Sequence, residues 1–433
     1  LPNSPNDHAA SASFLNHGTV SGNGSIKIER YIIQYFTETD GWHFFSSPVD
    51  NANIDSQFLP GVCDDLYIYK EISDEWLSPK TTPDLTYFVN GLGYLISYIN
   101  NSVHTISGVP NNNDLKFNNL SFTGDRGWHL LGNPYPCGLK WGGTDWGING
   151  ISLVAKLLNS GGTYTDLLAG ETIPAMNGFF VKANSTSNAI TIPKSARLHS
   201  IADGWKRTES SLDKKMKLMI QSNTDNTFAE TRIIVNHDAT TGYDISKDSP
   251  YLSGMPGTPL FYQVTSDGRE LSTNCIPDSA SLKLNFEFTP GLANEYTLKA
   301  VISDEWAKTS NFVFEDKLSN VKYPILNGTT FKFKSNSGDI KDRFRLAIDI
   351  ITGITKKENI EDLNISCADR HVKISMPHQI DSGRAYIFDL VGKQVFSGEF
   401  VNGKLDFKLP NSGFYLLHVL VKNGMLTRKI LAL

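Results

Sequence analysis

The chain consists of short apolar runs in which hydrophobic and polar residues alternate, separated by turns rich in Gly, Asn, Asp and Pro. Alternation with a period of two buries one face of a segment and exposes the other, which is typical of strands rather than helices. Many short strands at this spacing favour sandwich architectures. The sequence therefore predicts an all-β protein of tandem, immunoglobulin-like β-sandwich domains, the first of which contains an internal duplication.

An internal repeat organises the first part of the chain. Two blocks recur at shifts of 86 and 85 residues: GWHFFSSP as GWHLLGNP (41–48 and 127–134) and GYLI as GFFV (93–96 and 178–181). A nearly constant register over separate blocks indicates two copies of one β unit. Residues 31–200 are therefore predicted to form one duplicated β domain, with Trp42 and Trp128 packing equivalent half-cores.

The remaining chain divides at changes of composition. Residues 1–30 are rich in Asn, Ser and Gly, and two interpretations stay open for them: the end of a preceding β-rich region or a flexible linker. The other predicted regions are a β-sandwich domain at 205–350, a linker at 351–360 and a C-terminal β domain at 361–433.

The C-terminal domain carries a turn signal between each pair of apolar runs. Asn402-Gly403 and Asn423-Gly424 suit two-residue hairpins, because a type I′ turn needs positive φ at both central positions. In the segment 389–393, Asp389 can accept hydrogen bonds from nearby amides while Gly392 takes a left-handed conformation. This segment predicts a longer hairpin with a bulge.

The same stretch resembles the type A C-terminal sorting domain of type IX secretion system cargo from Bacteroidota. The resemblance rests on three blocks in the family's order, YIFDLVGKQV, SGFY and RKIL (386–395, 412–415 and 428–431). The phrases GWHLLGNPYP and PAMNGFFV (127–136 and 174–181) are similar to a repeat found upstream of such domains, and 312–346 is similar to the domain that precedes them.

The resemblance implies a secreted protein on the surface of a Gram-negative bacterium. It implies, as partners, the outer-membrane translocon and its shuttle proteins, followed by attachment to surface lipopolysaccharide. The residues that it marks as the sorting signal are Asp389, Gly392, Gly413, Tyr415, Arg428 and Lys429.

Composition excludes several classes of partner. A net charge of −5, from 40 basic and 45 acidic residues, is not the footprint of a nucleic-acid-binding protein. No apolar run approaches the roughly 20 residues of a transmembrane helix, and the segment beginning at Leu1 does not have the pattern of a signal peptide. We therefore expect a mature or truncated chain without nucleic-acid ligands or transmembrane segments.

The four cysteines are widely spaced and include no CxxC pair, which argues against a zinc or redox site. Disulfides are permitted in a secreted protein. The predicted domain boundaries leave Cys63 with Cys137 as the only pairing to consider.

No catalytic motif was found: the GxSxG, HExxH, P-loop and strand-linked GxGxxG patterns are all missing from the sequence. His43 and His129, which follow the repeated Trp, are predicted to be structural. We therefore expect a non-enzymatic, adhesin-like protein or the C-terminal portion of a larger surface protein. Two alternatives stay open, a carbohydrate-binding accessory module and an enzyme with an unrecognised carboxylate site.

Two clusters are candidate ligand sites. Tyr135, Trp141 and Trp146 lie close together in a Gly-rich stretch, and exposed rings there would form a platform for a polysaccharide. Asp238, Asp244 and Asp248 lie in a loop-like segment and are weak candidates for binding calcium, because calcium prefers several oxygen ligands. Apart from this calcium hypothesis, no metal or other cofactor is expected.

Overall fold

The architecture is described from a computed structural model of the chain. Of the positions singled out above, Gly392, Asn423, Cys63, the linker at 351–360 and most of residues 1–30 lie outside the described residues. The described ranges are 13–16, 25–35, 41–54, 58, 64–78, 85–124, 126–199, 214–279, 281–350, 364–375, 383–389, 393–421 and 424–432.

The all-β prediction is confirmed, since 53% of the described residues are in strands and 3% are in helices. Among these residues, the first two domains contain the 3-10 turns Thr144–Trp146 and Lys194–Ala196 and the α-helix Asp304–Thr309. In the part of the chain that the structure describes, no helix has the length and apolar character needed to cross a membrane.

The first domain is built from two copies of one eight-stranded unit. The strands of the first copy are Ile26–Ile32 (β1), His43–Phe45 (β2), Ala52–Asn53 (β3), Asp65–Lys70 (β4), Glu75–Leu77 (β5), Tyr87–Phe88 (β6), Tyr94–Ser97 (β7) and Ser102–Gly108 (β8). Those of the second are Leu115–Asn118 (β9), Trp128–Gly132 (β10), Gly138–Lys140 (β11), Ala155–Leu158 (β12), Tyr164–Leu167 (β13), Thr172–Ile173 (β14), Gly178–Lys182 (β15) and Ala189–Ile192 (β16). Arg197–Leu198 (β17) then pairs with β11.

The strand pairings of the two copies correspond one to one. A four-stranded sheet of order β2-β7-β4-β5 in the first copy matches β10-β15-β12-β13 in the second. The pair β3-β6 of the first copy matches β11-β14 of the second, and the pair β1-β8 matches β9-β16. Local chemistry matches as well, because His43 Nε2 lies 3.0 Å from the Ile33 carbonyl and His129 Nε2 lies 2.8 Å from the Ser121 carbonyl. Both histidines therefore have the predicted structural role.

The duplicated unit begins before residue 31, the boundary predicted from the sequence. Residue 31 falls inside β1, whose Ile26 and Ile28 pair across to Gly108 and Ile106 of β8. The alternation of apolar and polar residues in β1 is not evident from the sequence, because the residues before it are rich in Asn and Gly. A further part of the lead-in also packs against the domain, since the Phe14 amide donates to the Pro136 carbonyl at 2.8 Å.

The four-stranded sheets of the two copies pack face to face. Phe180 of β15 lies at the centre, with its ring 5.5 Å from Phe44 and 5.2 Å from Tyr69 of the first copy. Trp128 is buried in this cluster, and Trp42 packs half-buried against it. The repeated Trp residues therefore lie in one shared core between the copies, whereas the sequence had suggested separate half-cores.

The second domain is a sandwich whose inward-facing aliphatic and aromatic side chains fill a single core. Its strands are Lys215–Ser222 (β18), Phe228–Val235 (β19), Ser249–Pro250 (β20), Leu260–Val264 (β21), Glu270–Ile276 (β22), Ser281–Thr289 (β23), Glu295–Ile302 (β24), Ser310–Asp316 (β25), Val321–Pro324 (β26), Thr330–Lys334 (β27) and Phe344–Ile350 (β28). They form one long folded sheet, with order β26-β25-β28-β23-β21-β22-β19-β18-β24-β27 and β20 attached to β22.

The third domain is a smaller sandwich of two sheets. Its strands are Asn364–Ala368 (β29), His371–Ser375 (β30), Gly383–Asp389 (β31), Gln394–Glu399 (β32), Lys404–Lys408 (β33), Gly413–Val421 (β34) and Gly424–Ala432 (β35). The three-stranded sheet has the order β29-β30-β33 and the four-stranded sheet the order β32-β31-β34-β35. Asn402 and Gly403 have φ of 51° and 70°, as a type I′ turn requires, and this turn leads from β32 in one sheet to β33 in the other.

Candidate functional site

The final strand of the C-terminal domain lies at the edge of its sheet. β35 pairs with β34 from Gly413↔Ala432 to Val421↔Gly424, and within the described residues it has no second neighbouring strand. An edge strand presents backbone N–H and C=O groups that can pair with another chain. The β35 edge therefore offers backbone groups that a partner strand could pair with, as the edges at β32, β29 and β33 also do.

Basic and apolar side chains surround this edge. Arg428 and Lys429 are both exposed, and because neighbouring residues of a strand point to opposite faces, they flank the edge from two sides. Phe414 and Leu431 pair directly across β34 and β35 and are 46% and 44% exposed. Lys429 Nζ lies 4.3 Å from the centroid of the Phe414 ring, a cation–π geometry. The edge thus combines a hydrophobic surface with two positive charges.

The other marked residues shape the fold. Tyr415 is 5% exposed, belongs to the core and donates from its hydroxyl to the Asn411 carbonyl at 2.8 Å. Asp389 Oδ1 accepts from the Lys393 amide at 2.9 Å, and a register shift follows Ile387, which confirms the bulged hairpin. Gly413, at φ 147°, begins β34 in a conformation that side chains rarely adopt. The described residues that the resemblance marks therefore lie in or beside one sheet.

The aromatic-platform hypothesis is wrong for the residues that suggested it. Tyr135, Trp141 and Trp146 are each 0% exposed and belong to the core of the second copy. Trp141 Nε1 donates to the Leu153 carbonyl and Trp146 Nε1 to the Lys140 carbonyl, both at 2.9 Å. The Gly-rich segment folds inward because burying these large rings outweighs the polarity of their neighbours. A sugar cannot reach them in this fold.

The aspartates proposed for calcium do not converge on a common point. Asp248 is 1% exposed and accepts from the Asp244 and Cys275 amides at 2.6 and 2.7 Å, and burial raises its pKa to about 6. Asp244 pairs with Lys247 at 2.7 Å. Asp238 is exposed beside His237. Among the described residues, no group of acidic, His or Cys side chains is arranged to hold a metal ion.

We expect calcium to leave the stability of the protein unchanged. The Asp244 and Asp248 carboxylates are already engaged by Lys247 and by backbone amides, so a calcium ion would have to displace those partners. The measurement is a pair of thermal melts in millimolar calcium and in EDTA. A melting temperature that rises with calcium concentration would contradict this result, because ligand binding to the folded state must raise it.

A buried ionic cluster joins the first two domains. Lys156 of β12 and Asp166 of β13 are 1% and 3% exposed, and Lys156 Nζ lies 2.5 Å from Asp166 Oδ1. From the second domain, Ser249 and Ser272 accept from Lys156 Nζ at 3.0 and 2.6 Å. Thr273 donates to Asp166 Oδ2 at 2.6 Å. Burial lowers the pKa of Lys156, and the charge of Asp166 opposes that change.

Sequence reasoning missed this cluster. The signal for it is Lys156 itself, a charged residue in the middle of the apolar run 154–158. A buried charge of this kind requires an opposite charge beside it and partners for its hydrogen bonds. Its partners Ser249 and Ser272 lie 93 and 116 residues away, so spacing alone does not identify them.

The pairing of Cys63 with Cys137, considered above, is not supported. Cys137 is a buried free thiol, and burial raises its pKa to about 11. Cys275 and Cys367 are also free, whereas Cys63 lies outside the described residues. The thiols of Cys137 and Cys275 are therefore protonated at neutral pH and poorly nucleophilic.

Comparison with known proteins does not identify a family or a function for this chain. No protein-family model and no curated protein matches this chain. A solved structure of PorZ, an essential bacterial surface component of the type IX secretion system of Porphyromonas gingivalis, is similar over 65% of this chain and 51% of that one, at 10% identity and a TM-score of 0.16. This chain thus spans about half the length of the PorZ structure, and a likeness this weak carries no conclusion about function.

Proposed function

We propose that residues 361–433 are a type IX sorting domain. They would carry this chain, a non-enzymatic, adhesin-like β protein, to the surface of a Gram-negative bacterium. The sequence blocks at 386–395, 412–415 and 428–431 motivate the proposal. The observation that carries it is the position of β35 at a sheet edge, with Arg428 and Lys429 exposed on either side.

The physical requirement is a stable domain that presents one unpaired strand. A partner recognises such a strand by adding its own strand to the sheet, so that backbone hydrogen bonds give affinity and flanking side chains give specificity. Phe414 and Leu431 supply the hydrophobic contact, and Arg428 and Lys429 favour an acidic partner surface. Two charges on an edge strand also discourage self-association until that partner is met. In this proposal, the translocon and its shuttle proteins are the partners, and lipopolysaccharide attachment follows export.

Charge reversal at the edge should block export. We expect a fluorescent protein directed to the periplasm and fused to residues 359–433 to reach the surface of a host that has the secretion system. The variant Arg428→Glu/Lys429→Glu should stay in the periplasm, because it changes the recognition charges but no core residue. Surface protease accessibility of the fluorescent protein distinguishes the two locations.

The matched control reverses Lys404 and Lys408, which are exposed on β33 in the other sheet. This control should be exported like the parent fusion. Retention of the parent fusion in the periplasm, or export of all three fusions alike, would refute the assignment.

A further inference from the structure

The first two domains meet over a surface that adds backbone contacts to the buried ion pair of β12 and β13. The turn between these two strands reaches the second domain directly. The Met255 amide donates to the Gly162 carbonyl at 2.7 Å, and the Thr163 hydroxyl donates to the Phe228 carbonyl at 2.6 Å. Hydrogen bonds to backbone groups bring the two main chains close together, so the domains touch without an intervening layer of flexible side chains.

Two glycines allow this close approach. A Cβ atom at Gly161 would lie 2.4 Å from the Phe228 ring. A Cβ atom at Gly254 would lie 2.5 Å from the Gly162 carbonyl oxygen and 2.8 Å from Thr163 Cα. Neither Gly161 nor Gly254 has a positive φ. These positions therefore require glycine because the two domains pack closely there, and not because of backbone conformation.

The second domain also contributes to the apolar core between the two copies. Leu252 and Met255 pack, partly buried, against the cluster that contains Phe44 of the first copy and Trp128 and Phe180 of the second. Burial of apolar surface is the main favourable contribution to most protein associations. Removing the second domain would therefore expose part of this core to water.

A second ion pair lies at the same junction. Arg232 of β19 places Nη1 3.3 Å from Oε1 of Glu171, and the two side chains are 13% and 22% exposed. The Leu168 amide donates to Glu171 Oε2 at 2.7 Å, which holds the carboxylate in place. Domains of one chain normally move relative to each other unless their interface is extensive. Here, contacts from two strands, a turn and Glu171 oppose both sliding and rotation.

We propose that the first two domains form one rigid module, which their interface holds together even when the chain between residues 199 and 214 is cut. Separation would leave Lys156 and Asp166 without the hydroxyl partners that the second domain provides, and an unpartnered buried group is costly. The polar contacts come from the second copy, whereas β4 and β5 of the first copy pack against the second. This inference is independent of the export route and of the final strand.

Cutting the chain between the two domains tests the inference. A site for a specific protease, flanked by flexible Gly-Ser linkers, is inserted after Ser210 of the full chain. After cleavage, the two fragments should elute together in gel filtration at micromolar concentration, at the volume of the uncut protein. Gly254→Ala should weaken their association about tenfold or more, because overpacking of a closed contact forces the two backbones apart.

Gly242→Ala is the matched control, since Gly242 is in the second domain and a Cβ atom there would make ordinary contacts with Asp267 at 3.5 Å. It should leave the association unchanged. Thr163→Val keeps the shape of the side chain but removes the hydroxyl that bonds the Phe228 carbonyl, and it should weaken association about fivefold or more. This variant decides the matter if Gly254→Ala does not fold. Parent fragments that separate at this concentration, or a folded junction variant that associates as tightly as Gly242→Ala, would overturn the inference.

Discussion

Replacing Lys156 with Met should lower the free energy of unfolding by about 3–5 kcal/mol, because it leaves the buried Asp166 carboxylate without its counter-charge. Ser272 and Thr273 still donate hydrogen bonds to Asp166, but they do not neutralise it. The loss should appear in chemical denaturation of the full chain as an earlier transition of the first two domains, whose junction this pair occupies.

Two control variants separate charge from packing. Lys156→Met/Asp166→Asn removes both charges and keeps an acceptor for Thr273, so it should recover much of the lost stability. Lys334→Met breaks an exposed pair with Glu295 and should leave the denaturation midpoint unchanged, because exposed ion pairs contribute little. If Lys156→Met and Lys334→Met have the same denaturation midpoint, the buried pair of Lys156 and Asp166 does not stabilise the junction as we expect.

Truncating Trp141 to Ala should cost about 3–5 kcal/mol, through lost transfer energy and the cavity left among buried rings. Trp146 and Phe179 lie 4.6 and 5.8 Å from it, centroid to centroid, and would lose those contacts. The Leu153 carbonyl would also lose its indole donor. The measurement is the melting temperature of the full chain, read by near-ultraviolet circular dichroism.

The control variant is Leu153→Ala. Leu153 contacts Trp141 through its backbone carbonyl, while its side chain is 52% exposed. This change keeps the backbone carbonyl that Trp141 uses and should shift the melt very little. If the Trp141→Ala and Leu153→Ala proteins have the same melting temperature, the Trp141 ring is not part of the core.

Local patterns in the sequence predicted the features that depend on neighbouring residues. The repeated Gly-Trp-His blocks identified β2 and β10 as equivalent, since a duplicated unit keeps its hydrophobic pattern and its turns. The positive φ at Asn402 and Gly403 and the bulge beside Asp389 were predictable because turn chemistry is local. Tyr415, Arg428 and Lys429 were likewise placed on strands from alternation alone, whereas Gly413, expected in a turn, begins β34.

Features that depend on distant residues were not predictable. Trp141 and Trp146 occur among glycines, which suggested a loop surface, but their burial is decided by β11, β15 and the rest of the second-copy core. The ion pair of Lys156 depends on Ser249 and Ser272 from another domain. The parallel pairing of β19 with β22 has the same character, since it joins Arg232 to Thr273 although β20 and β21 come between them in the sequence. Periodicity identifies strands but does not specify which surfaces meet.

The unequal use of the two copies has an evolutionary consequence. After the duplication, a substitution on β12 or β13 had to remain compatible with two neighbours, the first copy and the second domain. The matching strands β4 and β5 pack against the second copy, through contacts such as Tyr69 and Trp76 with Phe180. Substitutions on β12 and β13 are therefore constrained by two neighbours, which reduces the sequence variation that the second copy tolerates there relative to β4 and β5 of the first copy.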